Sequence, residues 1–163
     1  MNYDSYKLDT SIQSVYPQNP KYFKEGTVCE IISIPNFKPG MERILDFLVW
    51  PEVVDMNLVG TAEGVSNEGT VMSSQKLVVE IKLKQKLTYV ENGPDQSVHA
   101  NYFESLKSIV VMLPEEYCGK KTCDLLRVKR VSITPYIETV YSKIIDERNL
   151  YNCILVFVDV KLC

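Results

Sequence analysis

His99 is the chain's one histidine and the first residue to consider for catalysis, because imidazole is the side chain most often used as a general base. Ser97 and Cys118 are the candidate nucleophiles. A nucleophilic mechanism needs base, nucleophile and orienting acid within hydrogen-bond distance, and the sequence has no strand-to-helix nucleophile elbow. A lone histidine after a turn is typical of a surface or hydrogen-bonded structural residue. We therefore predict no catalytic residues and no enzyme.

Carboxylate pairs and glycine-rich stretches indicate no better site. Glu115-Glu116 and Asp146-Glu147 lie in turn-forming sequence, where solvated acids are expected, and nothing marks either pair as acids of raised pKa. The glycines between residues 60 and 69 lack a phosphate-loop motif and a following helix. We predict no bound cofactor.

The cysteines are the remaining reactive groups: Cys29, Cys118, Cys123, Cys153 and Cys163. Cys118 and Cys123 have the spacing of half a zinc site, but no second Cys/His pair follows to complete four ligands, so no metal site is predicted. A local disulfide between these two would need Cα atoms within about 7 Å. Cys29 and Cys153 lie in strand-like sequence and are expected to be buried, inert thiols. Cys118 and Cys123 lie in a hydrophilic loop, and Cys163 is the last residue of the sequence, where a thiol can reach another molecule. These three are the candidate inter-subunit cross-links.

The element that organises the chain is the stretch Gln75–Val90, QKLVVEIKLKQKLTYV. Apolar and charged residues alternate along it, which predicts a long strand with one buried face and one wet face. Gln85 is the single polar residue on the apolar side, and we expect a bend or bulge there. The cluster Glu91–Asp95 predicts a reversal of the chain.

Most other segments also read as short strands between turn signals. Met41–Phe47 is open to two interpretations, two helical turns or a turn that leads into a strand. Pro51 in the following segment indicates an edge strand or a bulge. The remaining predicted strands are Thr27–Ile34, Leu48–Leu58, Phe103–Leu113 with both faces buried over Ile109–Leu113, Leu125–Ile145 bent at Pro135, and Leu150–Leu162 at the centre of a sheet. These elements predict an all-β fold, an antiparallel sandwich with at most one or two short helices.

Residues 1–26 differ from the rest and are interpreted as an irregular N-terminal arm before a β domain at 27–163. The arm has no lasting period, and its aromatic residues alternate with polar ones. It packs either on its own domain or on a neighbouring subunit, because aromatic side chains are favoured anchors at interfaces. The candidate anchors are Tyr3, Tyr6, Tyr16, Tyr22 and Phe23.

Composition excludes several function classes. The formal net charge is −3, which gives no electrostatic footprint for nucleic acid. The lysines at 76, 82, 84 and 86 form a local stripe, read as a solvated face or, alternatively, a polyanion-binding strip. No run approaches the roughly 20 apolar residues of a membrane span, and MNYDSYKLDT is not a signal peptide. We therefore expect synthesis in a reducing cytoplasm.

Four stretches resemble the SPOCS domain, a family of β-rich domains in sporulation and spore-coat proteins of endospore-forming, clostridial-type bacteria. They are IPNFKPGMERIL (Ile34–Leu45), SNEGTVMSSQKLVVEIKLKQKLTYV (Ser66–Val90), DQSVHANYFESLKSIVVMLP (Asp95–Pro114) and TPYIETVYSKIIDERNLYNCILVFVDV (Thr134–Val160). The KLVV strand, the TYV before the turn and the QSVH after it are the most specific parts. The resemblance covers about residues 29–162.

This resemblance implies a structural role without catalytic residues. It implies synthesis in the mother-cell cytoplasm and deposition on the spore surface, in the coat or exosporium. The partners would be other copies of the chain and other envelope proteins, with thiols that cross-link after deposition. Some family members also carry a peptidoglycan-binding LysM module, which has no counterpart here, so anchoring to peptidoglycan is not expected. The alternative is a binding module for a glycan or a coat protein, in which Trp50 and exposed tyrosines stack on the ligand.

Overall fold

The computed structural model describes residues 5–7, by their backbone, and residues 17–163. Strands make up 69% of the structure and helix 4%, which confirms the predicted all-β fold with one short helix. The strands are β1 Ser5–Lys7, β2 Tyr22–Ser33, β3 Met41–Gly60, β4 Gly64–Val65, β5 Val71–Met72, β6 Gln75–Glu91, β7 Val98–Leu113, β8 Glu116–Tyr117, β9 Lys120–Lys121, β10 Val131–Ile144 and β11 Asn149–Leu162, and the helix is α1 Thr122–Arg127.

Two antiparallel sheets form the body of the molecule. One has the strand order β1-β10-β11-β2 and the other β3-β6-β7, while β4–β5 and β8–β9 are small hairpins. The sheets lie face to face, with β10 near β3 and β2 near β7. Their inner faces contribute one continuous apolar core. The strand β11 lies between β10 and β2, which confirms its predicted central position.

The strand β6 has the predicted alternation. Its inward residues Leu77, Val79, Ile81, Leu83 and Leu87 have no exposed surface. The bulge allowed at Gln85 does not occur, because β6 pairs with β7 from Gln75 to Val90 without a register shift. A polar side chain can take an inward position without breaking the strand when its hydrogen bonds are satisfied in the core.

The strand β3 decides between the two interpretations of its first residues. It extends from Met41 to Gly60, so the helical alternative is wrong and the segment pairs with β6. It passes through Pro51 at the edge of the sheet, the kind of position that proline predicts. The register shifts lie at Met41/Arg43, Ile44/Asp46 and Val53/Asp55.

Three further expectations are corrected. Val110 and Met112 of β7 are 42% and 44% exposed, so this strand buries only one face. Leu125 belongs to helix α1 rather than to a strand, and it is 98% buried because the helix turns it into the core. The strand β10 begins at Val131 and continues through Pro135, with its irregularity at Ile137/Thr139.

The N-terminal strands adjoin the same sheet. Within the segment interpreted as an arm, β1 pairs antiparallel with β10 of the same chain, placing Tyr6 opposite Ser142. The strand β2 begins at Tyr22, so the boundary predicted after Gly26 falls inside a strand. Tyr3 and Tyr16 lie outside the described residues. No helix among the residues described is long and apolar enough to cross a bilayer.

Candidate functional site

His99 is held by the hairpin between β6 and β7. Its Nε2 atom lies 2.7 Å from Oε2 of Glu91, and its ring lies 5.8 Å from that of Tyr89. Glu91 ends β6 and His99 is the second residue of β7, so the pair closes the two strands beside their turn. This is the hydrogen-bonded structural position predicted for a lone histidine.

The candidate nucleophile Cys118 lies beyond the opposite end of β7. This strand has 16 residues, which at about 3.3 Å per residue is roughly 50 Å. The fold therefore does not bring His99 and Cys118 together. In residues 17–163, no group of three or more His, Cys, Asp or Glu side chains could hold a metal ion.

Cys118 occupies the tip of the β8–β9 hairpin. Tyr117 pairs with Lys120, and the two loop residues have positive φ angles, 50° at Cys118 and 73° at Gly119. Two successive positive φ angles are typical of a type I′ turn, for which Asn-Gly is the usual sequence. Cysteine is unusual in the left-handed region because its Cβ approaches the following carbonyl oxygen. The turn presents an exposed thiol at its tip.

The other two candidate cross-links lie at the same end of the molecule. Cys123 is on α1, and the Cys163 backbone N–H donates a 3.0 Å hydrogen bond to the carbonyl of Arg130, just after that helix. Cys163 and Tyr117 line a common cavity of about 260 Å³, which connects the last residue to the β8–β9 hairpin. Cys118, Cys123 and Cys163 are all free and exposed.

Cys29 and Cys153 form a disulfide, which corrects the expectation of two buried free thiols. They lie directly opposite each other on β2 and β11, with Cα atoms 4.1 Å apart. Their side chains point to the outer face of the sheet, and Cys29 is exposed. The two residues are 124 positions apart in sequence, so only the pairing register shows that they are neighbours.

A chain of polar side chains crosses the core between the sheets. Asn152 Nδ2 donates a 2.8 Å hydrogen bond to Gln85 Oε1, and Ser142 Oγ donates one of 2.9 Å to Asn152 Oδ1. On the other side, Gln85 Nε2 donates to Ser105 Oγ at 2.8 Å and to Glu30 Oε1 at 3.1 Å. Ser105 Oγ also donates to this Glu30 oxygen. The only sequence signal of this network is Gln85, the polar residue on the apolar side of the Gln75–Val90 strand.

The outer face of the β3-β6-β7 sheet carries exposed aromatic and apolar side chains. Trp50 on β3 is 47% exposed. Tyr102 and Leu106 on the opposite edge strand are each 68% exposed. The lysine-bearing side of β6 lies between them, as its alternation predicted.

The lysines of this face are mostly paired rather than free. Lys84 Nζ lies 2.6 Å from Glu52 Oε2, and this hydrogen bond and its charge lower the pKa of Glu52 and raise the pKa of Lys84. Lys82 lies 3.8 Å from Glu104. Lys86 Nζ lies 5.9 Å from the ring centroid of Tyr102. The outer face around β6 therefore carries both lysines and carboxylates, and it is not the uniformly basic stripe that the lysines alone indicate.

Two predicted arm anchors contact their own chain. Tyr22 meets Tyr117 edge to face at 6.4 Å, and Lys21 Nζ lies 5.4 Å and 5.2 Å from these two rings. Phe23 stacks on Phe157 at 5.3 Å. These contacts fit the interpretation in which the N-terminal residues pack on their own domain.

The chain matches no family model, and no curated protein or solved structure is similar enough to count as a match. Membership of the SPOCS family therefore stays a prediction from the residues, and the functional argument has to come from the molecule itself.

Proposed function

We propose that this chain is a non-enzymatic structural protein of the bacterial spore envelope, in the coat or exosporium, that acts by self-assembly and by binding other envelope proteins. The observation that carries the proposal is the arrangement of its cysteines. One pair is already joined within the chain, and three exposed thiols lie at one end of the sandwich. The likeness of residues 29–162 to spore-coat domains supplies the cellular context.

The exposed thiols suit cross-linking between copies. Cys118 projects from a hairpin tip, where a thiol of another molecule can approach without moving the sheets. Two thiols on neighbouring copies form a disulfide by giving two electrons and two protons to a small-molecule disulfide, which is reduced to two thiols. Such bonds would form after the protein leaves the reducing cytoplasm for the oxidising spore surface.

Oxidation of purified protein tests the role of the thiols. Reduced protein treated with glutathione disulfide should give a ladder of multimers on non-reducing gels, and dithiothreitol should collapse the ladder. The variant Cys118→Ser/Cys123→Ser/Cys163→Ser should stay monomeric on the same gels. A ladder that survives in this triple variant would refute the assignment of these three cysteines.

The variant Cys29→Ser/Cys153→Ser is the matched control. It should keep the ladder, because its exposed thiols are intact, and it should lose about 2–5 kcal/mol of unfolding free energy, because the disulfide closes a long loop. Thermal unfolding with and without reductant measures this loss. The wild-type chain should respond to reductant and the control variant should not.

The cellular part of the proposal needs a separate measurement. Antibodies raised against the purified chain should label the surface of mature spores of the source bacterium in immuno-electron microscopy. Label confined to vegetative cells would refute the spore-envelope assignment. It would not change the conclusion from the gels about which cysteines cross-link.

The alternative function, a binding module for a glycan or a coat protein, is favoured by the exposure of Trp50 and Tyr102 on one sheet face. Aromatic rings on a flat surface can stack on the apolar faces of sugar rings, while neighbouring charged groups hydrogen-bond to hydroxyls. Titration with soluble spore polysaccharide, followed by the fluorescence of Trp50, tests this function directly.

A further inference from the structure

We propose that the outer face of the β3-β6-β7 sheet binds the same face of a second copy, which gives a symmetric, sheet-on-sheet dimer. This inference deepens the proposed self-assembly and rests on it, but it concerns a non-covalent contact that needs no cysteine. It assigns to Trp50, Leu106 and the Lys84–Glu52 pair a role in the contact between copies.

The first support is the exposure of this face. Every outward residue of β7 from Tyr102 to Met112 is exposed, including Leu106, and Trp50 is 47% exposed on β3, across the charged row of β6. The outer face of the other sheet is covered at one end, where Phe157 and Asp159 are only 4% and 2% exposed, but it is open at Ile31, which is 64% exposed. The face therefore exposes apolar side chains on both of its edge strands, which makes it a candidate interaction surface.

The second support is the charge pattern. Lys84 and Glu52 lie on neighbouring strands, as do Lys82 and Glu104, so the centre of the face carries as many carboxylates as paired lysines. In a two-fold symmetric contact, a residue that meets a different residue of the other copy makes the same contact a second time in the opposite sense, so a lysine and a carboxylate of one face can each meet their opposite in the other. A face of lysines alone would repel its copy, whereas this face can offer carboxylates to the lysines of the other copy.

The third support is the area available. Three strands spaced by about 4.8 Å give a face roughly 14 Å wide, and 16 residues of about 3.3 Å give a length of roughly 50 Å. Each copy therefore offers about 700 Å², or about 1,400 Å² for the pair. A stable, specific protein interface buries about 1,600 ± 400 Å² in total, so the face has the size that a second copy of this chain needs.

Trp50 reports on this face directly, since it is the only tryptophan in the chain. The experiment uses the full chain in dithiothreitol, so that disulfides between copies cannot form. Light scattering should give twice the chain mass of 18.7 kDa, falling to that mass on dilution. Over the same dilution, Trp50 emission should shift to longer wavelength and acrylamide quenching should increase.

Variants on the two sheet faces distinguish the proposed contact from nonspecific association. Leu106→Glu should weaken dimerisation at least tenfold, and the milder Leu106→Ser should weaken it in the same direction without placing a new charge. The control Ile31→Glu changes a side chain that is 64% exposed on the other sheet, and it should dimerise as the wild type does. Circular dichroism should show a folded sheet in all three.

A charge swap tests the self-complementary pattern. Lys84→Glu alone places two carboxylates side by side and should weaken dimerisation, whereas Lys84→Glu/Glu52→Lys restores one charge of each sign and should recover it. A double variant no better than the single one would overturn the charge argument and with it the symmetric docking.

The outcomes distinguish this inference from the proposed function. A wild-type chain that stays monomeric in dithiothreitol but forms an oxidised ladder refutes the face and leaves cross-linked assembly intact. A dimer unaffected by Leu106→Glu also refutes the face. If the chain stays monomeric and its Trp50 fluorescence responds to spore polysaccharide, the face binds glycan and the proposed dimer is refuted. If the chain forms neither the non-covalent dimer nor the oxidised ladder, the proposed self-assembly is refuted as well.

Discussion

Asn152 on β11 donates a 2.8 Å hydrogen bond to Gln85 on β6, and this bond joins the two sheets through the centre of the core. Both side chains are almost fully buried. A buried amide without partners costs free energy, so the bond requires the two strands to lie over each other in one register. The pair thus contributes to the specificity of the sandwich as well as to its stability.

Replacement of Gln85 by leucine should destabilise the fold by about 1–3 kcal/mol, although leucine is the more hydrophobic residue. The substitution leaves Asn152 Nδ2 buried without its acceptor. Urea unfolding measures the difference. Gln75→Leu, the same change at the half-buried start of the same strand, is the control and should have a smaller effect. Equal stability of Gln85→Leu and the wild type would contradict the role assigned to the network.

Gly26→Ala should destabilise the chain by about 1–3 kcal/mol through overpacking. A Cβ atom at this position would lie 2.8 Å from Cδ1 of Ile109, at the contact of β2 with β7. Ile109→Val removes that Cδ1 atom, so it should cost less in the Gly26→Ala background than in the wild type. A double-mutant cycle by thermal unfolding measures the coupling.

Gly60→Ala is the control for this cycle, since nothing lies within 4 Å of a Cβ atom at that position. It should change the unfolding free energy by no more than about 0.5 kcal/mol. Strict additivity of Gly26→Ala and Ile109→Val would show that the two positions do not meet in solution.

Asp146 should stabilise the β10–β11 turn in a pH-dependent way. Its carboxylate accepts hydrogen bonds from the Asn149 side chain at 2.8 Å and from the backbone N–H groups of Arg148 and Asn149 at 2.8 Å and 2.7 Å, and these bonds lower the pKa of Asp146. A lowered folded-state pKa means that the stabilisation is complete above the unfolded value of about 3.9 and is lost as pH falls through the folded value.

Asp146→Asn should therefore be less stable than the wild type near neutral pH, and the difference should shrink below about pH 4. Thermal unfolding across this range measures it. Asp95→Asn, in the exposed β6–β7 turn, is the control and should follow the wild-type profile. A stability difference that stays constant down to the most acidic condition would rule out the proposed protonation of Asp146.

The strands could be predicted because their signals are local. The alternation of Gln75–Val90 specifies which side chains face the core, and Pro51 marks an edge strand, since each depends on a few neighbouring residues. The strand predicted at Leu125 is wrong because the local signal there is only a short apolar run, Leu125-Leu126, a pattern that helix and strand share. Tertiary packing then chose the helix, which buries Leu125.

The sequence by itself determined the all-β class, the two faces of β6 and the position of the turn that follows it. Only the tertiary structure decided that Cys29 meets Cys153, that Gln85 is satisfied by Asn152 and Ser105, and that the exposed thiols lie at one end. The physical reason is range. Alternation acts between residues two apart, whereas strand pairing and sheet stacking bring together residues whose separation leaves no periodic trace in the chain.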